Sequence, residues 1–250
     1  MTNDEIFPNP TVKEVAFEIR FPNLFYIENK IGELQLKIME EFPDSSLIFK
    51  APIAFTNVGS KGEYSLPPGF EEEVGNKIWE FESEKDYKLN ISSNSVVIIS
   101  KYHKTYNLDN EDKFRDIIEF VVDSFLEVMP IPTINRIGLR YIDECPLPIK
   151  DNETFSKYYN SVFPIERFNL SDASEMDFKT MIKVEDYYLR YVESLQKVDD
   201  EYKLILDFDG FAEKIDPNEY LEVTDALHEI IVQEYFETIN EPVLEHMREE

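Results

Sequence analysis

The chain contains one cysteine and seven glycines among 250 residues, and only 25 residues are lysine or arginine. The single cysteine, Cys145, excludes an internal disulfide, so nothing in the sequence favours an oxidising compartment. No hydrophobic run approaches the ~20 residues that a membrane-spanning helix needs. The first ten residues, MTNDEIFPNP, have neither the basic start nor the apolar core of a signal peptide. We therefore expect a cytoplasmic protein.

The chain has 52 aspartates and glutamates against these 25 basic residues, which gives a formal net charge of −27. Proteins that bind nucleic acids or anionic membranes neutralise phosphates with lysine and arginine, so neither partner is expected. The charge is uneven: residues 201–250 hold 15 acidic and 3 basic residues, whereas residues 101–150 hold 9 and 7. Such a charge distribution favours solubility, or a basic protein partner.

The sequence also lacks the common catalytic signatures, including glycine-rich phosphate loops, the nucleophile elbow and the paired-histidine zinc motif. Its three histidines are not spaced as a metal cluster. We interpret His228, beside the apolar stripe of a helix, as a structural residue, and Cys145 as an inert one. These absences argue against an enzyme, and no cofactor is predicted.

Aromatic residues, in contrast, are abundant: the chain has 19 phenylalanines and 14 tyrosines. Alternating apolar residues predict strands, as in VAFEIRF at 15–21. Apolar residues at helical spacing predict long amphipathic helices at 24–42, from Asp109 to Met129, and from Asp216 onward. Because the strands are grouped as hairpins, we expect an α+β fold in which helices back one face of a mainly antiparallel sheet.

The two parts of the chain resemble each other in the order of their elements. DYKLNIS precedes the helix at 110–129, and EYKLILDFD precedes the helix at 217–239. We interpret residues 1–150 and 151–250 as similar α+β halves that form one compact unit.

Two arginines lie four residues apart in INRIGLRYIDE, at 134–144. Strand alternation gives this segment one hydrophobic face and one polar face. The polar face carries Arg136, Gly138 and Arg140, and Arg20 lies on the same type of face of the first strand. Burying an unpaired charge costs several kcal/mol, so these arginines must be paired, solvated or bound to a ligand.

Two arrangements satisfy these arginines. One is a ladder of ion pairs with carboxylates of neighbouring strands, namely Glu18, Asp207 and Asp209. The other is a pocket in which the same arginines and glycine bind a small anion or nucleotide, because planar guanidinium groups bind phosphate and carboxylate well. The glycine-rich loop at 56–76 would cover this pocket, and long loops are often functional. We favour the ladder.

Asp207 and Asp209 alternate on one predicted strand, so their carboxylates face the same side. Paired carboxylates can hold Mg²⁺ with water completing the coordination shell. A chain with 52 acidic residues contains such pairs by chance. A metal-dependent hydrolase is therefore the third functional hypothesis.

The last long helix carries Glu219, Glu222, Asp225 and Glu229, and residues 215–247 contain no lysine or arginine. No i,i+4 pair with a base can offset this charge. We interpret these four residues as a docking surface for a basic protein partner. The leading functional hypothesis is a non-enzymatic binding or regulatory protein that acts through this partner.

Three segments, NPTVKEVAFEIRF, INRIGLRYIDE and LILDFDGF followed by ALHEIIVQEYFETINEPVLEHM, resemble a sporadically distributed bacterial protein family of about this length. The similarity runs over nearly the whole chain. The family has no established activity, so the resemblance carries no catalytic residue onto this chain. It implies one unit rather than a fusion and an accessory role, by analogy in a bacterial defence or toxin–antitoxin module.

Overall fold

The computed structural model describes residues 5–49, 77–101, 105–108, 112–163, 165, 167–198 and 201–249. Within these residues the strands are β1 (Val12–Arg20), β2 (Asp44–Phe49), β3 (Lys77–Glu82), β4 (Tyr87–Ile91), β5 (Ser95–Ser100), β6 (Ile134–Pro146), β7 (Met176–Val184), β8 (Tyr187–Val198) and β9 (Glu201–Ile215). The α-helices are α1 (Ile27–Ile38), α2 (Phe114–Val128), α3 (Asn152–Tyr158), α4 (Tyr220–Thr238) and α5 (Glu241–Arg248).

The nine strands form one sheet in the order β2-β3-β4-β5-β1-β6-β9-β8-β7. All neighbouring strands are antiparallel. The α+β fold with a largely antiparallel sheet is therefore confirmed. The sheet is continuous across residue 150, because β6 pairs with β1 on one side and with β9 on the other.

The hydrophobic core lies against one face of this sheet. On β1, Val15, Phe17 and Ile19 are fully buried, as the alternation predicts. Helix α4 packs on β6, β8 and β9, and α1 packs on α2. Leu227 and Ile231 of α4 join the buried cluster, so the helix contributes its apolar stripe to the core.

The opposite side of the central strands is polar, and we call it the polar face. It carries charged residues of β1, β6 and β9, among them Glu18, Arg20, Arg136, Arg140, Asp207 and Asp209. The placement follows from strand geometry, because successive side chains of a strand point to opposite sides of the sheet.

Several predicted boundaries are corrected by the structure. The helix predicted at 24–42 spans only Ile27–Ile38, because the chain forms turns on either side of it. Strand β9 continues to Ile215, since it pairs with β6 along that whole length. The chain ends in the separate helix α5, which restarts with Pro242 in its first turn.

The helix predicted from Asp109 is also corrected, because α2 begins at Phe114 and Lys113 before it has an extended backbone. The loop predicted at 56–76 lies outside the described residues. Among the helices that the structure describes, none is long and apolar enough to span a membrane.

Candidate functional site

Arg136 is bound to two carboxylates on the polar face. Its Nη1 donates to Glu18 Oε2 at 2.8 Å, and its Nη2 donates to Asp209 Oδ1 at 2.8 Å. The guanidinium carbon also lies 4.8 Å from the ring centre of Phe211. The side chain of Arg136 thus lies along β6 and binds a carboxylate on each neighbouring strand. The cation–π contact adds to these ion pairs.

Gly138 makes this arrangement possible. It lies between Glu18 on β1 and Phe211 on β9 in the strand register. A Cβ atom at position 138 would lie 2.4 Å from Arg136 Nη1, which is well inside contact distance. A glycine in a strand leaves space next to the backbone, and here the guanidinium group of Arg136 fills that space.

The other two arginines are paired as well. Arg140 binds Asp207 through two hydrogen bonds of 2.7 and 2.8 Å, and Arg20 lies 2.9 Å from Glu18. The hydrogen bond to Asp207 raises the pKa of the Arg140 guanidinium. This is the arrangement that the ladder hypothesis predicts, whereas binding of an anion at these arginines stays a prediction.

The same contacts bear on the metal hypothesis. Asp207 and Asp209 both accept hydrogen bonds from arginines. In the part of the chain that the structure describes, no group of three or more histidine, cysteine or acidic residues is placed to hold a metal ion. Here the two aspartates act as partners of arginine.

A fourth arginine lies on the polar face and was missed from the sequence. Arg190 of β8 is directly opposite Asp209 in the register. Within the described residues its buried Nε atom has no hydrogen-bond partner and the side chain forms no salt bridge. Strand alternation in YYLRYVESL was the available signal, because Arg190 follows the buried Leu189.

The predicted docking residues on α4 have different surroundings. Glu219, Glu222 and Glu229 are exposed. Asp225 is partly covered and binds Arg115 of α2 through hydrogen bonds of 2.8 and 2.9 Å. It also accepts a hydrogen bond of 2.8 Å from the Tyr106 hydroxyl. Asp225 therefore links α4 to α2, and Arg115 of α2 neutralises its negative charge.

The acidic charge at the start of α4 extends onto the turn between β7 and β8. Glu185, Asp186, Glu219 and Glu222 surround Tyr187, and we call these four the acidic surface. Burial, and then the charges of these carboxylates, raise the pKa of the Tyr187 hydroxyl. Among the described residues, none of the four carboxylates has a base within salt-bridge distance.

A cavity of about 170 Å³ lies on the helix side of the sheet. Its walls come from β6, from α4, from Met247 of α5, from the segment that leads into β1 and from residues 105–108. Its polar lining includes Asp143, so we call it the Asp143 cavity. The sequence had placed Tyr141, Ile231 and Tyr235 on hydrophobic faces, and of the lining residues only His228 was weighed for a chemical role.

Asp143 lies on the hydrophobic side of β6 and is only 5% exposed. Its Oδ1 accepts a hydrogen bond of 2.8 Å from the Thr11 hydroxyl, which lies 2.6 Å from the Tyr235 hydroxyl. Burial raises the pKa of the carboxyl to about 7. The alternation that buries Leu139 and Tyr141 continues to Asp143. An acidic residue at a position where the pattern predicts an apolar one was therefore the sequence signal for this buried carboxyl group.

His228 also lines the cavity. Its ring stacks on Tyr106 at 4.0 Å between ring centres, and its Nδ1 lies 3.3 Å from the Tyr141 hydroxyl. These contacts suit the structural role expected for this histidine. Cys145 is fully buried, and burial raises the pKa of its thiol well above the usual value, which agrees with an inert side chain.

No family model, curated protein or solved structure matches the chain. The resemblance to a sporadic bacterial family therefore stays a prediction.

Proposed function

We propose that the protein is a non-enzymatic binding protein that acts through a basic protein partner and docks it on the acidic surface. The observation that carries the proposal is the cluster of Glu185, Asp186, Glu219 and Glu222 around Tyr187, in which none of the four carboxylates forms a salt bridge with a described residue. Such a surface attracts a positively charged partner and accelerates its association.

The docking residues differ in their expected contributions. Glu219 and Glu222 belong to the acidic surface, and Glu229 extends the charge along α4. Asp225 contributes less, because Arg115 and Tyr106 already occupy its oxygens. We therefore expect the interface to centre on the start of α4.

Charge reversal tests this proposal. The immobilised protein and its Glu219→Lys, Glu222→Lys double variant are used to capture partners from an extract of the source organism, at low and at high salt. We expect a basic protein that the wild type captures and the double variant does not, and whose capture weakens as salt screens the charges.

The matched control reverses two exposed glutamates away from this surface, Glu40→Lys and Glu84→Lys. It changes the net charge equally and is expected to retain the partner. A partner that both double variants retain equally, or one that is insensitive to salt, contradicts the proposal, as does the capture of no partner at all.

A small-anion or nucleotide site on the polar face is the second candidate, and Arg190 is the observation that favours it. This arginine lies in the same register row as Arg140 and has a buried nitrogen without a partner in the described part of the chain. Calorimetric titration with ATP and with inorganic pyrophosphate tests it. Binding that Arg190→Gln abolishes supports the site, and no heat from either anion contradicts it.

The proposal also includes the two similar halves of the fold, the class of partner and the location of the protein. The order of elements supports two similar halves, since a run of three adjacent antiparallel strands precedes a long helix in each, β3-β4-β5 before α2 and β7-β8-β9 before α4. The net charge of −27 supports a partner that is neither a nucleic acid nor a membrane. We place the protein in the cytoplasm, as an accessory component of a bacterial defence or toxin–antitoxin module.

A further inference from the structure

The Asp143 cavity has the size and the walls of a small-molecule site. Its volume is about 170 Å³, and its lining includes the rings of Tyr106, Tyr141, Tyr235 and Phe236. A cavity of about 150 Å³ inside a protein is large enough to hold benzene. Apolar walls with a few converging polar groups are typical of ligand sites.

The polar group in this cavity is the carboxyl of Asp143, which is ionised above its pKa of about 7 and is then incompletely satisfied. Asp143 is 95% shielded from solvent, as its 5% exposure shows, and the Thr11 hydroxyl is its hydrogen-bond donor. Within the described residues it forms no salt bridge, and no donor reaches its second oxygen. Because a buried charge without a counter-ion is costly, this position invites a positively charged group from outside.

The rest of the lining selects for a cation as well. Of the two acids that line the cavity in the described part of the chain, Glu5 is already paired with Arg248, which leaves Asp143 as the acid without a cation. No lysine or arginine is among these described lining residues. The faces of tyrosine and phenylalanine rings carry negative potential and attract ammonium and guanidinium groups. The net charge of −27 raises the local concentration of cations further. An anion would meet the carboxylate of Asp143, and no lysine or arginine of the described lining would compensate this repulsion.

We propose that the Asp143 cavity binds a small organic cation, an alkylammonium or guanidinium group, with Asp143 as its counter-ion and the rings of Tyr106, Tyr141 and Tyr235 as its walls. This site is separate from the acidic surface and does not depend on the proposed partner. The cation has two chemical sources, namely a free amine and a lysine or arginine side chain of a peptide.

The first experiment is a titration of the full chain by calorimetry and by ¹⁵N-resolved NMR. The probes are butylamine and agmatine as free cations, and the capped tripeptides Gly-Lys-Gly and Gly-Arg-Gly as peptide cations. Butanol and butyrate are the neutral and anionic controls of matched size. We expect cation binding with chemical-shift changes centred on Tyr141, Asp143 and Tyr235, and no binding of the two controls.

Variants separate the cavity from non-specific attraction to an acidic protein. Asp143→Asn keeps the shape of the side chain and removes its charge, and it is expected to weaken binding about tenfold or more. The Glu219→Lys, Glu222→Lys double variant leaves the cavity intact and is expected to bind the cations as the wild type does. Tighter binding of the tripeptides identifies a peptide side chain as the source, and tighter binding of the free amines identifies a metabolite.

Three results overturn the proposal. The first is that no cationic probe binds, which leaves Asp143 as a structural residue. The second is that Asp143→Asn folds but binds as tightly as the wild type. The third is that the NMR changes in the wild type spread over surface carboxylates, a readout that needs no variant to fold.

Discussion

The single glycine at position 138 and the arginine two residues before it form one structural unit. Replacing Gly138 with alanine puts a methyl group 2.4 Å from Arg136 Nη1 and displaces the guanidinium from Glu18 and Asp209. We expect Gly138→Ala to lower the free energy of unfolding by about 1–2 kcal/mol, since these charge-assisted hydrogen bonds are partly buried. Urea denaturation followed by circular dichroism measures it.

A double-mutant cycle provides the control for this prediction. In an Arg136→Ala background there is no guanidinium to displace, and alanine is intrinsically better than glycine in a strand by roughly 0.5–1 kcal/mol. Gly138→Ala is therefore expected to be neutral or stabilising in that background. An equal loss in both backgrounds would show that the glycine serves the backbone and not the arginine.

Asp143 makes a second prediction at the residue scale, because its pKa rises from 3.8 to about 7 on burial. Between these pH values the folded state keeps a proton that the unfolded state releases. The free energy of unfolding therefore falls as pH rises through this window. The Thr11 hydrogen bond and the charge of Lys13 act against this shift, and Tyr141, Cys145 and Tyr235 are the other titratable neighbours.

Asp143→Asn removes this titration. The free energy of unfolding of the variant should therefore increase relative to that of the wild type as pH rises from about 4 to about 8. The expected gain is roughly 2 kcal/mol or more, since one unit of pKa shift corresponds to about 1.4 kcal/mol. Urea denaturation across this pH range measures the difference, with the exposed Glu222→Gln as control. Parallel pH profiles of Asp143→Asn and the wild type would contradict the assignment.

At the scale of elements, one side-chain cluster holds α2 and α4 together. Arg115 binds both oxygens of Asp225, and Tyr106 donates to the same carboxylate. We expect Arg115→Ala to cost about 1–2 kcal/mol in unfolding free energy, because its removal leaves a partly buried carboxylate without its cation. The control is Lys30→Ala, which breaks an exposed pair with Glu33 within α1 and should cost under about 1 kcal/mol.

Thermal and urea unfolding of both variants test this difference. If Arg115→Ala is no more destabilising than Lys30→Ala, then Asp225 is free to act as a docking residue, as the sequence alone suggested. Asp225→Asn combined with Arg115→Ala completes the cycle and isolates the pair.

The elements themselves were largely predictable, because alternation and helical spacing are local signals. The hydrophobic face of β1 and the Arg-Gly-Arg face of β6 follow directly from those patterns. The bond from Arg115 to Asp225 was not predictable, since 110 residues separate the two. The Asp143 cavity was missed for the same reason, since its walls come from five separate parts of the chain.

The whole molecule depends on the pairing of β1 with β6 in the interior of the sheet. This contact joins strands from widely separated parts of the sequence into one sheet of nine. The register places Gly138 beside Glu18, which brings the ladder together on the polar face. A one-residue slip would turn each side chain of β6 to the other side of the sheet and bury its arginines in the core.

The net charge of the whole molecule determines how its thermal stability depends on salt. An excess of 27 negative charges repels itself more in the compact state than in the unfolded chain. Added NaCl screens this repulsion, and it also weakens ion pairs, most of which are exposed and are each worth at most about 1 kcal/mol. We therefore expect the thermal unfolding midpoint to rise by about 2 °C or more between low salt and about 0.5 M NaCl. The Glu40→Lys, Glu84→Lys variant carries less excess charge and should rise by less, whereas a midpoint that falls with salt would show that the ion-pair ladder outweighs the repulsion.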